Sequence, residues 1–173
     1  QGPKNGEDPL SHYLRVVADK TGSLISASAR FGAMLSGASK EVIEIVTEFG
    51  EKIGVAFQLA DDVIDIASDS NQSGKTPGTD LKEGVPTLVT IRVMQSNDPK
   101  DSELKALLAK PIHDEKMVAE VILKLRAHPA LLESKMQLHE VANNAKKLLE
   151  VLPISPARTA LENLCSAIVN RSV

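Results

Sequence analysis

The densest chemistry in this sequence lies in five consecutive positions, Asp61-Asp62-Val63-Ile64-Asp65. The runs Ile53 to Leu59 and Val63 to Ile66 around them are largely apolar. Carboxylates in such surroundings cost free energy unless they are solvated, paired or bound to a cation. On a helix Asp61 and Asp65 are i and i+4 and share a face, with Asp62 one residue round and i+3 from Asp65. Gln58 and Gly54 extend the same polar or small stripe backwards. Three carboxylates this close repel one another. A hard divalent cation with oxygen ligands relieves that repulsion, and Mg²⁺ typically keeps waters and shares substrate phosphate oxygens. A merely solvated helix face is the plainer alternative. The apolar flanks favour a lined cavity.

Residues 69–80 follow as Asp-Ser-Asn-Gln-Ser-Gly-Lys-Thr-Pro-Gly-Thr-Asp, and they admit three readings. As a calcium loop, Asp69, Asn71, Ser73, Gly74 and Asp80 fall at positions 1, 3, 5, 6 and 12 of an EF-hand. Against this, position 12 would be Asp rather than Glu, Pro77-Gly78 oppose a following helix, and no second hand is present. Gly74-Lys75-Thr76 copies the tail of a P-loop, yet Asp69 stands where the first Gly belongs and no strand precedes it. The third reading is a polar surface loop with Lys75 solvated.

The elements that must position these residues read as helices almost throughout. Asp8-Pro9 is an N-cap with Pro at the first helical position. From there Leu10, Leu14, Val17, Thr21, Leu24, Ser28, Phe31 and Leu35 form one stripe, with Gly22 marking a break or a close packing contact. Ser39 caps a second helix from Lys40 to Ala67. Residues 68 to 86 break the pattern and read as one long polar loop, a length that points to function or disorder. Helices are expected at Thr87–Gln95, Ser102–Ala109, Asp114–Ala127 and Pro129–Leu149. Ser155-Pro156 begins the last, with Leu161, Leu164, Cys165 and Ile168 on its inner face. An all-α bundle is expected.

Composition narrows the function classes. The 173 residues carry 20 basic and 23 acidic side chains, a net of −3, so a polyanion must be held locally. With one Tyr, three Phe and no Trp, a nucleic-acid surface of stacked aromatics is not expected. The lone Cys165 excludes an internal disulfide and reads as core. His12, His113, His128 and His139 form no metal spacing. His139-Glu140 opens like a zinc-protease motif, but Asn143 occupies the second His position. No apolar run reaches the roughly 18 residues of a membrane span and no signal peptide is visible, so a cytoplasmic protein is expected.

Taken together, Gly54-Val-Ala-Phe-Gln-Leu-Ala-Asp-Asp-Val-Ile-Asp65, Gly74-Lys75-Thr-Pro-Gly-Thr-Asp80-Leu and Glu83-Gly84-Val-Pro-Thr87-Leu88 resemble trans-type polyprenyl diphosphate synthases. Tyr13, Lys20-Thr21, Phe31-Gly32-Ala33 and Gly37-Ala38 fit the same family. The resemblance is specific from about Asp8 to Leu88. It implies an isoprenoid-synthase helical bundle and a homodimer or oligomer. It also implies a prenyltransferase of isoprenoid biosynthesis that joins isopentenyl diphosphate to an allylic diphosphate with Mg²⁺. By the same resemblance Asp61, Asp62 and Asp65 are the second aspartate-rich motif, with Asp61 the direct metal ligand. Asp80 would act through metal-bound water. Lys20 and Lys75 would hold the allylic diphosphate, and Thr21 and Gln58 would sit beside the forming carbocation. The product could be membrane-proximal although the chain has no span.

The chain also departs from the family pattern. Asp-Asp occurs only at 61–62, no two Arg are adjacent, and Val85 and Val89 stand where Lys and Pro are common. The resemblance therefore makes residues 1–173 the C-terminal part of a single synthase domain, with the N-terminal half absent. The expected consequences are little activity of this chain alone and an apolar wall through which it self-associates. A regulatory subunit of a heteromeric synthase and a calcium-binding helical module using residues 69–80 are the competing readings.

Overall fold

The computed structural model describes residues 2–3, 6–68 and 77–171. Its regular elements are all helical: α1 Pro9–Val17, a π-helical segment Ala18–Gly22, α2 Ser23–Leu35, α3 Lys40–Ala67, α4 Thr79–Glu83, α5 Leu88–Gln95, α6 Ser102–Leu108, α7 Glu115–Ala127, α8 Pro129–Leu148 and α9 Pro156–Asn170. Among the described residues there is no strand.

The caps follow from the residue types. Asp8 accepts from the Ser11 amide at 2.8 Å at the head of α1, and these bonds hold its carboxyl below the usual range. Thr87, Asp114 and Ser155 cap α5, α7 and α9, accepting from the amides of Thr90, Met117 and Arg158. At the far end of α3, the Arg126 guanidinium donates to the Ile66 carbonyl at 2.8 Å and the Ser68 carbonyl at 2.7 Å. That satisfies carbonyls which a helix C-terminus leaves without a partner.

The chain forms two compact units, and α1, α3 and α8 contribute to both. The first unit takes residues 1–13 and 61–136. Its core gathers Val63, Ile66, Leu81, Val89, Val93, Leu104, Ile112, Val118, Val121, Ile122 and Leu125. The second takes residues 14–60 and 137–171. Val17, Phe49, Ile53, Leu59, Leu138, Leu149, Cys165 and Ile168 are buried in it.

Three sequence expectations change. The stripe from Leu10 to Leu35 does not run through as one buried face. Val17 is buried, whereas Leu24, Phe31 and Leu35 are exposed. The π-helical segment closes i to i+5 and takes an extra residue into its turn, so the apolar phase of α1 is not carried into α2. Residues 79–83, assigned to the loop, are helical between Gly78 and Gly84, both left-handed with φ of 78° and 67°. On α9, Cys165 and Ile168 face inward as expected, but Leu164 is exposed.

Candidate functional site

In the second unit, the π-helical segment presents Lys20 and Thr21. Close backbone packing fixes its position against α3. A Cβ on Gly54 would lie 2.8 Å from Gly22 Cα, and one on Gly50 would lie 2.8 Å from Ser26 Cα. Only glycine permits that approach. With the backbones this near, Thr21 Oγ1 donates to Gln58 Oε1 at 3.3 Å. Lys20 is exposed beside it. The structure thus joins Thr21 to Gln58 as a polar pair. A π-turn is a recurrent device at functional positions.

In the first unit the carboxylates of 61–65 separate by role. Asp62 is buried, and its Oδ2 accepts from the Tyr13 hydroxyl and from the Leu88 amide, the latter at 3.1 Å. Leu88 opens α5, so Asp62 serves one of the unpartnered N–H groups of that helix and places negative charge at its positive end. Asp65 is buried too. Its Oδ1 accepts from the Thr79 amide at 3.2 Å, and its carbonyl accepts from the Gly78 amide at 3.0 Å. Asp65 therefore ties the last turns of α3 to the start of α4, which carries Asp80. Asp61 is half-buried, as is Asp80.

Tyr13 is pushed far above the ordinary phenol range, chiefly by burial and then by the Asp62 carboxylate. The Asp80 charge adds to this. The phenol is thus a fixed donor toward an acidic cluster made by α3 and α4. Sequence reasoning placed Tyr13 in the family pattern without a role. The signal that could have found it is a buried Asp in an apolar helix, which requires a donor from elsewhere in the chain. A cavity of about 400 Å³ borders Asp80 and is walled by Leu81, Val85, Pro86, Ile91 and Met94.

The donor set offered to a metal is carboxylate oxygen, which suits a hard cation such as Mg²⁺ or Ca²⁺. Among the described residues no three His, Cys, Asp or Glu side chains gather into a self-sufficient metal cage. Lys75 lies outside the described residues, as does most of the 69–80 stretch on which the calcium-loop reading rests. No described helix is long and apolar enough to cross a membrane.

This all-helical architecture, with Asp62 and Asp65 buried on α3, is the fold of isoprenyl diphosphate synthases. The Polyprenyl synthetase family profile matches residues 3–125, and the chain belongs to that family. It is 43% identical over 171 residues to nonaprenyl diphosphate synthase of Mycobacterium tuberculosis, covering 99% of this chain and 51% of that protein. It is 42% identical to the dimethylallyltranstransferase of the same organism, covering 95% and 49%. A geranylgeranyl pyrophosphate synthase from Corynebacterium glutamicum, solved with calcium and isoprenyl diphosphate, superposes with a TM-score of 0.90 at 35% identity, covering 98% of this chain and 53% of that one. The chain spans about half the length of the curated relatives it matches.

Proposed function

We propose that this chain supplies the diphosphate-side part of a prenyl-transfer site that condenses isopentenyl diphosphate with an allylic diphosphate. The observation that supports this most directly is Asp61, half-buried on α3 next to two aspartates already engaged in anchoring α4 and α5. In this reading Asp61 ligates Mg²⁺, Asp62 and Asp65 add charge and hold the surrounding helices, and Asp80 acts through metal-bound water. When bound, Mg²⁺ supplies charge neutralisation of the departing diphosphate.

Lys20 and Lys75 bind the allylic diphosphate in this reading. The allylic C–O bond breaks with its electron pair leaving on diphosphate. Thr21 and Gln58 lie beside the resulting carbocation, where their oxygens ease the positive charge. The isopentenyl double bond then attacks, and the proton lost from the new cation goes to the released diphosphate. This accords with the absence of a positioned histidine base from the sequence pattern. Aliphatic walls keep water from the cation.

Because Asp-Asp occurs once in the 173 residues, this chain alone is proposed to turn over little substrate. Filter binding of a radiolabelled allylic diphosphate tests the reading. Retention that requires Mg²⁺ is expected. Absence of retention at any Mg²⁺ concentration, or tight Ca²⁺ binding without diphosphate that is lost on Asp69→Ala but not on Asp61→Ala, would contradict it.

A further inference from the structure

Tyr13 is far from the acidic run in sequence, and the condensation needs no chemistry from a phenol. Yet its hydroxyl donates to the same Asp62 oxygen that receives the Leu88 amide. Helices α1, α3 and α5 therefore meet on one buried oxygen. Between Asp80 and Leu88 the chain crosses only α4 and the turn Gly84-Val85-Pro86-Thr87, and the Val85 amide donates back to the Asp80 carbonyl at 2.9 Å. Whatever holds Asp62 against Leu88 also holds the far end of the segment that carries Asp80.

We propose that Tyr13 is a positioning residue for the metal–diphosphate site, keeping Asp62 turned onto α5 as an anchor rather than as a metal ligand. This rests on the functional reading above. A carboxylate with two donors on one oxygen is oriented by them, since charge-assisted hydrogen bonds are the stronger kind. Were Asp62 to swing onto a cation, it would leave a half-buried phenol and a buried helix-end amide without their acceptor, a costly exchange.

Three readouts on the 173-residue chain test this. Calorimetry with inorganic diphosphate and Mg²⁺ should show binding by the wild type, weakened about threefold to tenfold by Tyr13→Phe, the equivalent of one hydrogen bond. Amide exchange at Leu88 should accelerate in the same variant. The third readout uses the wild type and does not depend on how the variant folds. Tyr13 is the only tyrosine and there is no tryptophan, so tyrosine emission reports this phenol alone. Its quenching by the Asp62 carboxylate should persist at saturating Mg²⁺ and diphosphate. Emission rising on saturation would show Asp62 leaving Tyr13 for the metal and overturn the proposal. So would unchanged diphosphate affinity in Tyr13→Phe, whatever Leu88 exchange does. A wild type that binds no diphosphate overturns the functional reading itself and the proposal with it.

Discussion

Gly22 and Gly54 pack so closely that a single methyl group on Gly54 would lie 2.8 Å from the Gly22 Cα and 3.2 Å from the Thr21 carbonyl. The obstacle is backbone, which cannot swing aside as a side chain can. Gly54→Ala should gain about 1 kcal/mol of helix propensity and lose about 1–3 kcal/mol to overpacking. The expected net result is a lower urea midpoint and a longer Thr21–Gln58 separation. A midpoint at or above wild type would mean that the two helices part without cost.

Asp65 gives a second prediction. Asp65→Ala removes the acceptor of the Thr79 amide from a buried position, and about 1–3 kcal/mol of stability should be lost. Asp65→Asn keeps a carbonyl oxygen at the Oδ1 position and should recover most of it. Chemical denaturation of the two variants checks this, with equal losses counting against the anchoring role.

Acid should loosen the corner between α5 and α7. There Asp101 is held below its ordinary value of 3.8, first by the Ser96 hydrogen bond and then by His128, whose Nε2 lies 3.1 Å from Asp101 Oδ1. His128 Nδ1 accepts the Ala130 amide, so the proton facing Asp101 sits on Nε2. A depressed carboxyl stabilises the fold above its unfolded value and loses that contribution as pH falls through the folded one. The stability of the wild type should therefore decline below about pH 3.8 more steeply than that of Asp101→Asn. Parallel pH profiles would refute the assignment.

The exposed side chains of α2 predict self-association. Leu24, Phe31, Met34 and Leu35 are exposed on one helix that has no buried residue. Exposed apolar side chains gathered on one helix mark an interaction surface, here one for a second copy. Light scattering should give a mass above that of an 18.5 kDa monomer, falling toward it in Phe31→Lys/Leu35→Lys. A clean wild-type monomer would contradict this.

Much of this was legible from residue patterning. The helix read at about Lys40 to Ala67 is observed there, because an uninterrupted apolar period runs between a serine cap and a polar break. The aspartate run came from spacing along one helix, and the placing of Thr21 and Gln58 at the site came from the family resemblance. What patterning could not supply was the division of labour among Asp61, Asp62 and Asp65. That division depends on donors distant in sequence, Tyr13, Thr79 and Leu88, and spacing along one helix carries no information about them. Helix α4 was hidden for a related reason. Gly78 and Gly84 read as loop punctuation, whereas their left-handed geometry bounds a short helix held by Asp65.

The most direct measurement of the central claim is a calorimetric titration of inorganic diphosphate into the wild-type chain and Asp61→Asn, each with and without Mg²⁺. Binding is predicted only with Mg²⁺, and Asp61→Asn should weaken it by more than about tenfold. Metal-independent binding, or an Asp61→Asn isotherm matching the wild type, would contradict the account.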